Sequence, residues 1–288
     1  MNLSPLSQIV FPAVKTGVFL RLAAMFLALT LAACSWLPEQ KDKTKDWSAQ
    51  QLYSEANQAL KEGDYTTAIK YYESLEARYP FGPLAMQAQL DVAYTYYKDE
   101  EHDSAVAACD RFIKQNPRNP FVDYAYYLKG VVNFQRSGGF FDRFVPTDPS
   151  QRDAGFAQES FNAFSELLTK FPQSRYAEDT RQRMLYLREN IAQHEVHVAR
   201  YYYRRGAFLA AANRANHVVG NYPSTGAVRY ALALMIKSYR KLGMDSLAQD
   251  AERVLTLNQQ RGKLVEGASA EENSLTGKVW DYLEFDKD

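Results

Sequence analysis

Cysteine occurs twice and histidine four times in 288 residues. Two cysteines cannot build the disulfide framework of a small secreted scaffold. His194 and His197 flank Glu195 three positions apart, which is not the H-E-x-x-H zinc pattern, so they are read as packed or solvated residues rather than ligands. Gly138-Gly139 lacks the context of a phosphate loop, and no local Ser/His/Asp arrangement stands out. No enzyme, metal or cofactor is expected. Lysine plus arginine balance aspartate plus glutamate at 34 each, for a net charge of zero. That counts against a general nucleic-acid binder, which needs a basic surface. Long apolar runs are also missing. The main one, Leu22 to Thr30, falls well short of the roughly 20 residues that span a bilayer.

What that short run does carry is a secretion signal. Lys15 and Arg21 precede it, and Leu31-Ala32-Ala33-Cys34 follows it. A basic start, a short apolar stretch and small residues describe a signal peptide. The cysteine at its end makes it resemble a bacterial lipobox, so residues 1–33 are expected to be removed and Cys34 acylated. Several acyl chains anchor stably, because each buried methylene contributes about 0.8 kcal/mol and one chain alone is marginal. With Cys34 lipidated, Cys109 has no disulfide partner and reads as a small buried hydrophobe. Residues 34–46 are polar and read as a tether; twelve extended residues reach about 40 Å. Ser48 and Gln51 then form a capping box, with Trp47 and Leu52 spaced as a hydrophobic staple.

The chain repeats itself. Ala68, Tyr72, Leu75 and Pro80 stand at relative offsets 0, 4, 7 and 12. The same offsets recur as Ala105, Cys109, Phe112, Pro117, as Ser160, Phe164, Leu167, Pro172, and as Ala211, Ala215, Val218, Pro223. Ala248, Glu252 and Leu255 make a degenerate fifth copy without proline. Offsets of 4 and 7 place side chains on one helical face, and the proline ends that helix. Gly63-Asp64, Gly206 and Gly243 mark turns upstream. The pattern resembles the tetratricopeptide repeat and predicts an all-α solenoid of about five helix-turn-helix units.

Anchor spacings of 37, 55, 51 and 37 make the array irregular. The 55 holds an insertion at 137–155, too rich in Gly and Pro for helix. The 51 holds Ser174 to Arg205, free of both, which predicts one helix of about 45 Å at 1.5 Å per residue. N-terminal repeats then cover 47–136 and C-terminal repeats 156–257. A polar tail covers 258–288, whose Lys278–Phe285 end reads as a frayed terminus rather than a docking helix. The segment 200–205, Arg-Tyr-Tyr-Tyr-Arg-Arg, alternates bases and rings as nucleic-acid binders do, but its place in a first helix makes packing the better reading.

First helices line the concave face of such an array. The predicted groove residues are Tyr53, Asn57 and Lys61 in repeat one, Leu90, Tyr94 and Lys98 in repeat two, and Tyr127 and Phe134 in repeat three. An aromatic groove with cationic rims suits an extended peptide or its terminal carboxylate. The alternative is that these rings only pack between helices.

Three segments together resemble one family. They are the lipobox, Trp47–Tyr53 with Glu76–Phe81, and Arg205–Phe208 running into Ala210–Ala215. The combination is similar to the BamD (ComL) family of outer-membrane assembly lipoproteins, over about residues 34–257. The resemblance implies a periplasm-facing subunit of the β-barrel assembly machine, lipid-anchored in the outer membrane. It implies as partners the central barrel component, accessory lipoproteins and unfolded outer-membrane proteins. It assigns substrate binding to the N-terminal repeats and docking to the C-terminal ones, with Arg214 matching an arginine implicated in docking. Ser35 after the cysteine fits outer-membrane sorting in that class. Rival readings are a tetratricopeptide scaffold for peptidoglycan or division proteins and a competence lipoprotein that grips DNA.

Overall fold

The computed structural model describes residues 43–137 and 154–260. The signal peptide, Cys34, most of the insertion and the tail beyond Gln260 lie outside the described residues. The chain divides at Trp47 into two units. In the first, the described residues turn over 43–46, where the Trp47 N–H donates to the Thr44 carbonyl at 3.0 Å.

The second unit is all helical among its described residues, and its ten helices fall into five pairs. These are α1 (Ala49–Glu62) with α2 (Tyr65–Arg78), α3 (Pro83–Lys98) with α4 (His102–Gln115), and α5 (Val122–Ser137) with α6 (Gly155–Lys170). The long α7 (Ala177–Arg204) pairs with α8 (Phe208–Asn221), and α9 (Ala227–Lys241) with α10 (Asp245–Gln260). Each helix packs on the next, and first helices of successive repeats also meet. The repeat count stands as expected from the sequence. Residues 177–204 are one helix, and α10 runs on to Gln260, three residues past the expected repeat end.

The repeated offsets turn out to be the core of each second helix. Ala68, Tyr72, Leu75, Ala105, Cys109, Phe112, Ser160, Phe164, Leu167, Ala211, Ala215 and Val218 are all fully buried. Each large side chain among them contributes about 2–3 kcal/mol through area removed from water. The degenerate copy departs where its chemistry does: Ala248 is buried, but Glu252 is exposed and pairs with Arg240 at 2.8 Å. Proline stops four of these helices one residue early. Tyr79, Asn116, Phe171 and Tyr222 leave the helical region, with ψ between 47° and 64°, because a following proline disfavours it.

Turns between paired helices share one geometry. Gly63, Gly206 and Gly243 adopt φ of 81°, 75° and 70°, and the next N–H reaches back to close a Schellman turn. In repeat two Glu100 fills the same position at φ 61°, and Glu101 N–H donates to the Tyr96 carbonyl at 2.9 Å. Ser48 Oγ accepts the Gln51 N–H at 3.2 Å, as the capping pattern requires. Gly130 serves packing instead. Its missing Cβ would sit 2.3 Å from the Phe164 ring, and Ser160 Oγ donates to its carbonyl at 2.8 Å.

Candidate functional site

The first helices form the face on which the sequence places a groove. Tyr53 on α1 is half-buried, and its hydroxyl donates to Asp91 Oδ2 on α3 at 2.8 Å. Gln87 Nε2 donates to the other Asp91 oxygen at 3.0 Å. Below Tyr53, Tyr72 meets it edge to face with ring centroids 5.9 Å apart, and Asn57 lies beside both hydroxyls. Burial, then the bond to Asp91, pushes the Tyr53 hydroxyl up to about 12. Burial also raises the Asp91 carboxyl against the bonds from Tyr53 and Gln87. The Tyr72 hydroxyl is fully buried with no partner in hydrogen-bond geometry.

A second arrangement of the same kind joins repeats three and four. Tyr127 on α5 donates to Asp179 Oδ2 on α7 at 2.8 Å, and Arg183 Nε reaches the same oxygen at 2.6 Å. Tyr127 stacks on Tyr176 with centroids 4.5 Å apart. The Arg183 guanidinium lies 5.0 Å from the Phe134 ring centre, and Phe134 meets Tyr186 at 5.6 Å. Asp91, Asp179 and Arg183 were not among the residues expected here. Asp91 had a readable signal, since it is the one acid in the otherwise uncharged body of α3 before Lys98.

Other expected groove positions divide. Leu90 is a correction. It is 3% exposed and packs with Phe112, Val122 and Leu167, so it belongs to the core between repeats two and three. Tyr94 is half-buried, 6.2 Å from the Tyr97 ring, and packs toward Cys109 and Leu128. Lys61 and Lys98 close their helices as exposed cations. Arg214 lies on α8, away from these residues. Its Nη1 contacts Glu195 Oε2 on α7 at 3.0 Å, with 41% of its side chain exposed. Its carboxylate partner is therefore inside the same repeat.

Among the described residues no cluster of His, Cys, Asp and Glu is placed to hold a metal, and no helix is long and apolar enough to cross a membrane. What the first-helix face presents is half-buried phenols held by carboxylates, with Lys61 and Lys98 exposed at the ends of their helices. The outer membrane lipoprotein family YfiO matches residues 45–254, from just before α1 to within α10. The outer membrane protein assembly factor BamD of Neisseria meningitidis serogroup A is 43% identical over 240 residues, 82% of this chain and 90% of that protein. The chain belongs to this family. BamD of Xylella fastidiosa is 37% identical, covering 82% of each chain, and BamD of Vibrio cholerae is 35% identical over 81% of this chain and 95% of its own. Among solved structures, crystalline MamA protein is similar at a TM-score of 0.32 and 14% identity, over 76% of this chain and 96% of that one.

Family membership makes the chain an outer-membrane protein assembly factor associated with the outer membrane. The peptidoglycan-scaffold and DNA-uptake readings give way to it. The matched region is the helical array described above.

Proposed function

We propose that this assembly factor works as a lipid-anchored, periplasm-facing subunit, held in the outer membrane through acylated Cys34. Its first-helix face in repeats one to three binds unfolded outer-membrane protein segments. Its C-terminal repeats, around Arg214, dock on the central barrel component, alongside accessory lipoproteins. The observation that carries the substrate reading is the Tyr53–Asp91 bond between adjacent first helices. It fixes an aromatic ring at a helix seam with its polar edge on a carboxylate. Outer-membrane strands alternate apolar and polar residues and carry aromatics near the membrane interfaces. Tyrosine rings match such strands by offering stacking area and a hydroxyl together.

Crosslinking to a peptide copied from the last strand of a porin tests this. Replacing Tyr53 and Tyr94 by alanine is expected to weaken crosslinking while circular dichroism stays helical. A folded double variant that binds like the parent assigns both rings to packing alone. Mass spectrometry of the mature N-terminus is expected to find acyl chains on Cys34, and a mature protein that starts elsewhere refutes the anchor.

A further inference from the structure

Helix pairing gives the array two edges. First helices start, and second helices end, on a loop edge, and the turns within each pair stand on the opposite edge. Over repeats one and two the edges differ in chemistry. The turn edge exposes Glu62, Asp64, Glu100, Glu101 and Asp103 beside Lys61 and Lys98. The loop edge carries Arg78, Lys114 and Arg118, and no acidic residue stands from Arg78 to Leu90 or from Lys114 to Val122. It also carries the two most exposed rings among the described residues. Phe81, between α2 and α3, is 92% exposed, and Phe121, just before α5, is 57% exposed. Pro80 and Pro83 bracket Phe81, and Gly82 turns between them at φ 105°. Pro120 precedes Phe121, whose N–H donates to Asn119 Oδ1 at 2.8 Å. Stiff loops thus hold both rings out in water, so little further ordering is needed on contact.

We propose that this loop edge lies on an anionic lipid surface, the leaflet that holds the anchor. Phe81 and Phe121 enter the headgroup level, and Lys114 and Arg118 meet the phosphates. The inference rests on the reading that Cys34 is acylated. The tether then joins α1 at Ala49, which begins on the loop edge. A polar linker over residues 34–46 spans about 20 Å on average, so the anchor holds this edge at an effective concentration on the order of millimolar. A weak contact is enough at that concentration: two rings for the interface, and cations worth about fivefold each near anionic headgroups. The acyl chains keep the protein on the membrane, and the loop edge sets which way it faces. The acidic turn edge is repelled by the same surface and points away from it.

The test places nitroxide labels on the acylated full chain in vesicles of phosphatidylethanolamine and phosphatidylglycerol. Phe81→Cys and Phe121→Cys carry the label on the loop edge, and Glu62→Cys and Lys98→Cys carry it on the turn edge. Cys109 is buried and stays unlabelled. On chains that float with the vesicles, the labels at 81 and 121 are expected to be several-fold less accessible to a water-soluble nickel reagent than those at 62 and 98. Adding Lys114→Glu and Arg118→Glu to the Phe81→Cys chain is expected to return its label to water while the chain still floats, at about fivefold in surface binding for each cation lost. Four labels equally open to the reagent on a floating chain, or shielding at 62 and 98 instead, overturn the edge and leave the anchor reading intact. Shielding at 81 and 121 that appears only once the barrel component is added assigns the rings to a protein partner and overturns the lipid contact. A chain that does not float overturns the anchor and the edge together. Circular dichroism checks that each variant keeps its helices.

Discussion

Tyr53 Oη donates to Asp91 Oδ2 at 2.8 Å across 38 residues, tying the first helix of repeat one to that of repeat two. The bond is local in space and remote in sequence, so it reports directly on how the array stacks. The hydroxyl is held up to about 12, first by burial and then by Asp91. A tyrosine free in an unfolded chain ionises near 10. Because the folded value is the higher one, the stability from this group is intact below about pH 10 and is lost as pH rises through 12. Tyr53 is therefore expected to stay protonated at pH 11, so an absorbance titration of Tyr53→Phe should follow the parent curve up to that pH and fall below it only beyond about pH 12.

Asp91 is raised by burial, so the fold favours its protonated form. Its contribution is greatest below the ordinary carboxylate value and is lost as pH rises through the folded value. At neutral pH the charge therefore opposes folding. Asp91→Asn keeps an acceptor for Tyr53 and is expected to unfold at the same or a higher temperature than the parent at pH 7. Below about pH 4, where the parent is protonated too, any advantage should vanish. A clear loss of stability at pH 7 sinks this account of the site.

Glu100 stands in the left-handed turn position that glycine fills in three other repeats. A side chain there costs about 1 kcal/mol or more. Glu100→Gly is expected to raise the unfolding midpoint by about 1–3 °C, since glycine's greater unfolded freedom offsets part of the gain. The reverse change at Gly206, to alanine, is expected to lower it.

Gly130 lets Phe164 lie against the α5 backbone. Gly130→Ala forces that ring aside and is expected to cost about 2 kcal/mol as an overpacked core. Adding Phe164→Leu should recover part of the loss, a coupling that a thermal-melt double-mutant cycle reads directly. Strict additivity would show that the two residues do not meet.

Arg214 is partly exposed and Glu195 largely buried, so their pair is worth about 1 kcal/mol or less to the fold. Arg214→Glu sets two carboxylates together inside the repeat, so by itself it confuses docking with repulsion. Arg214→Ala is the cleaner probe. Docking through Arg214 predicts weaker co-purification of the barrel component for both arginine variants and none for Glu195→Gln. Equal loss in all three assigns the effect to the internal pair.

The second-helix core was legible because it is periodic. Tyr72, Phe112, Phe164 and Val218 recur at one offset from a small residue, and a helix turns that offset into a buried stripe. The first-helix face was only half legible. Leu90 shares register with Tyr53, yet register fixes a position along the helix, and an aliphatic side chain at that seam turns into the neighbouring core. Arg214 entered only through the family resemblance, and its pairing with Glu195 was hidden because the two stand 19 residues apart across a turn. Asp179 and Arg183 show only as an ordinary i,i+4 pair until Tyr127, 52 residues upstream of Asp179, is brought beside them. Turn chemistry was legible where it used glycine and hidden at Glu100, where the repeat geometry overrides residue preference.

Site-specific photocrosslinking tests the central claim most directly. A photoreactive residue at Asn57 or Tyr94 samples the first-helix face, and one at Lys70 or Lys114 samples exposed second-helix positions. With the full chain and an unfolded outer-membrane protein, the account predicts adducts from Asn57 and Tyr94 and few or none from Lys70 and Lys114. Adducts confined to the second helices, or equal from all four positions, would contradict it.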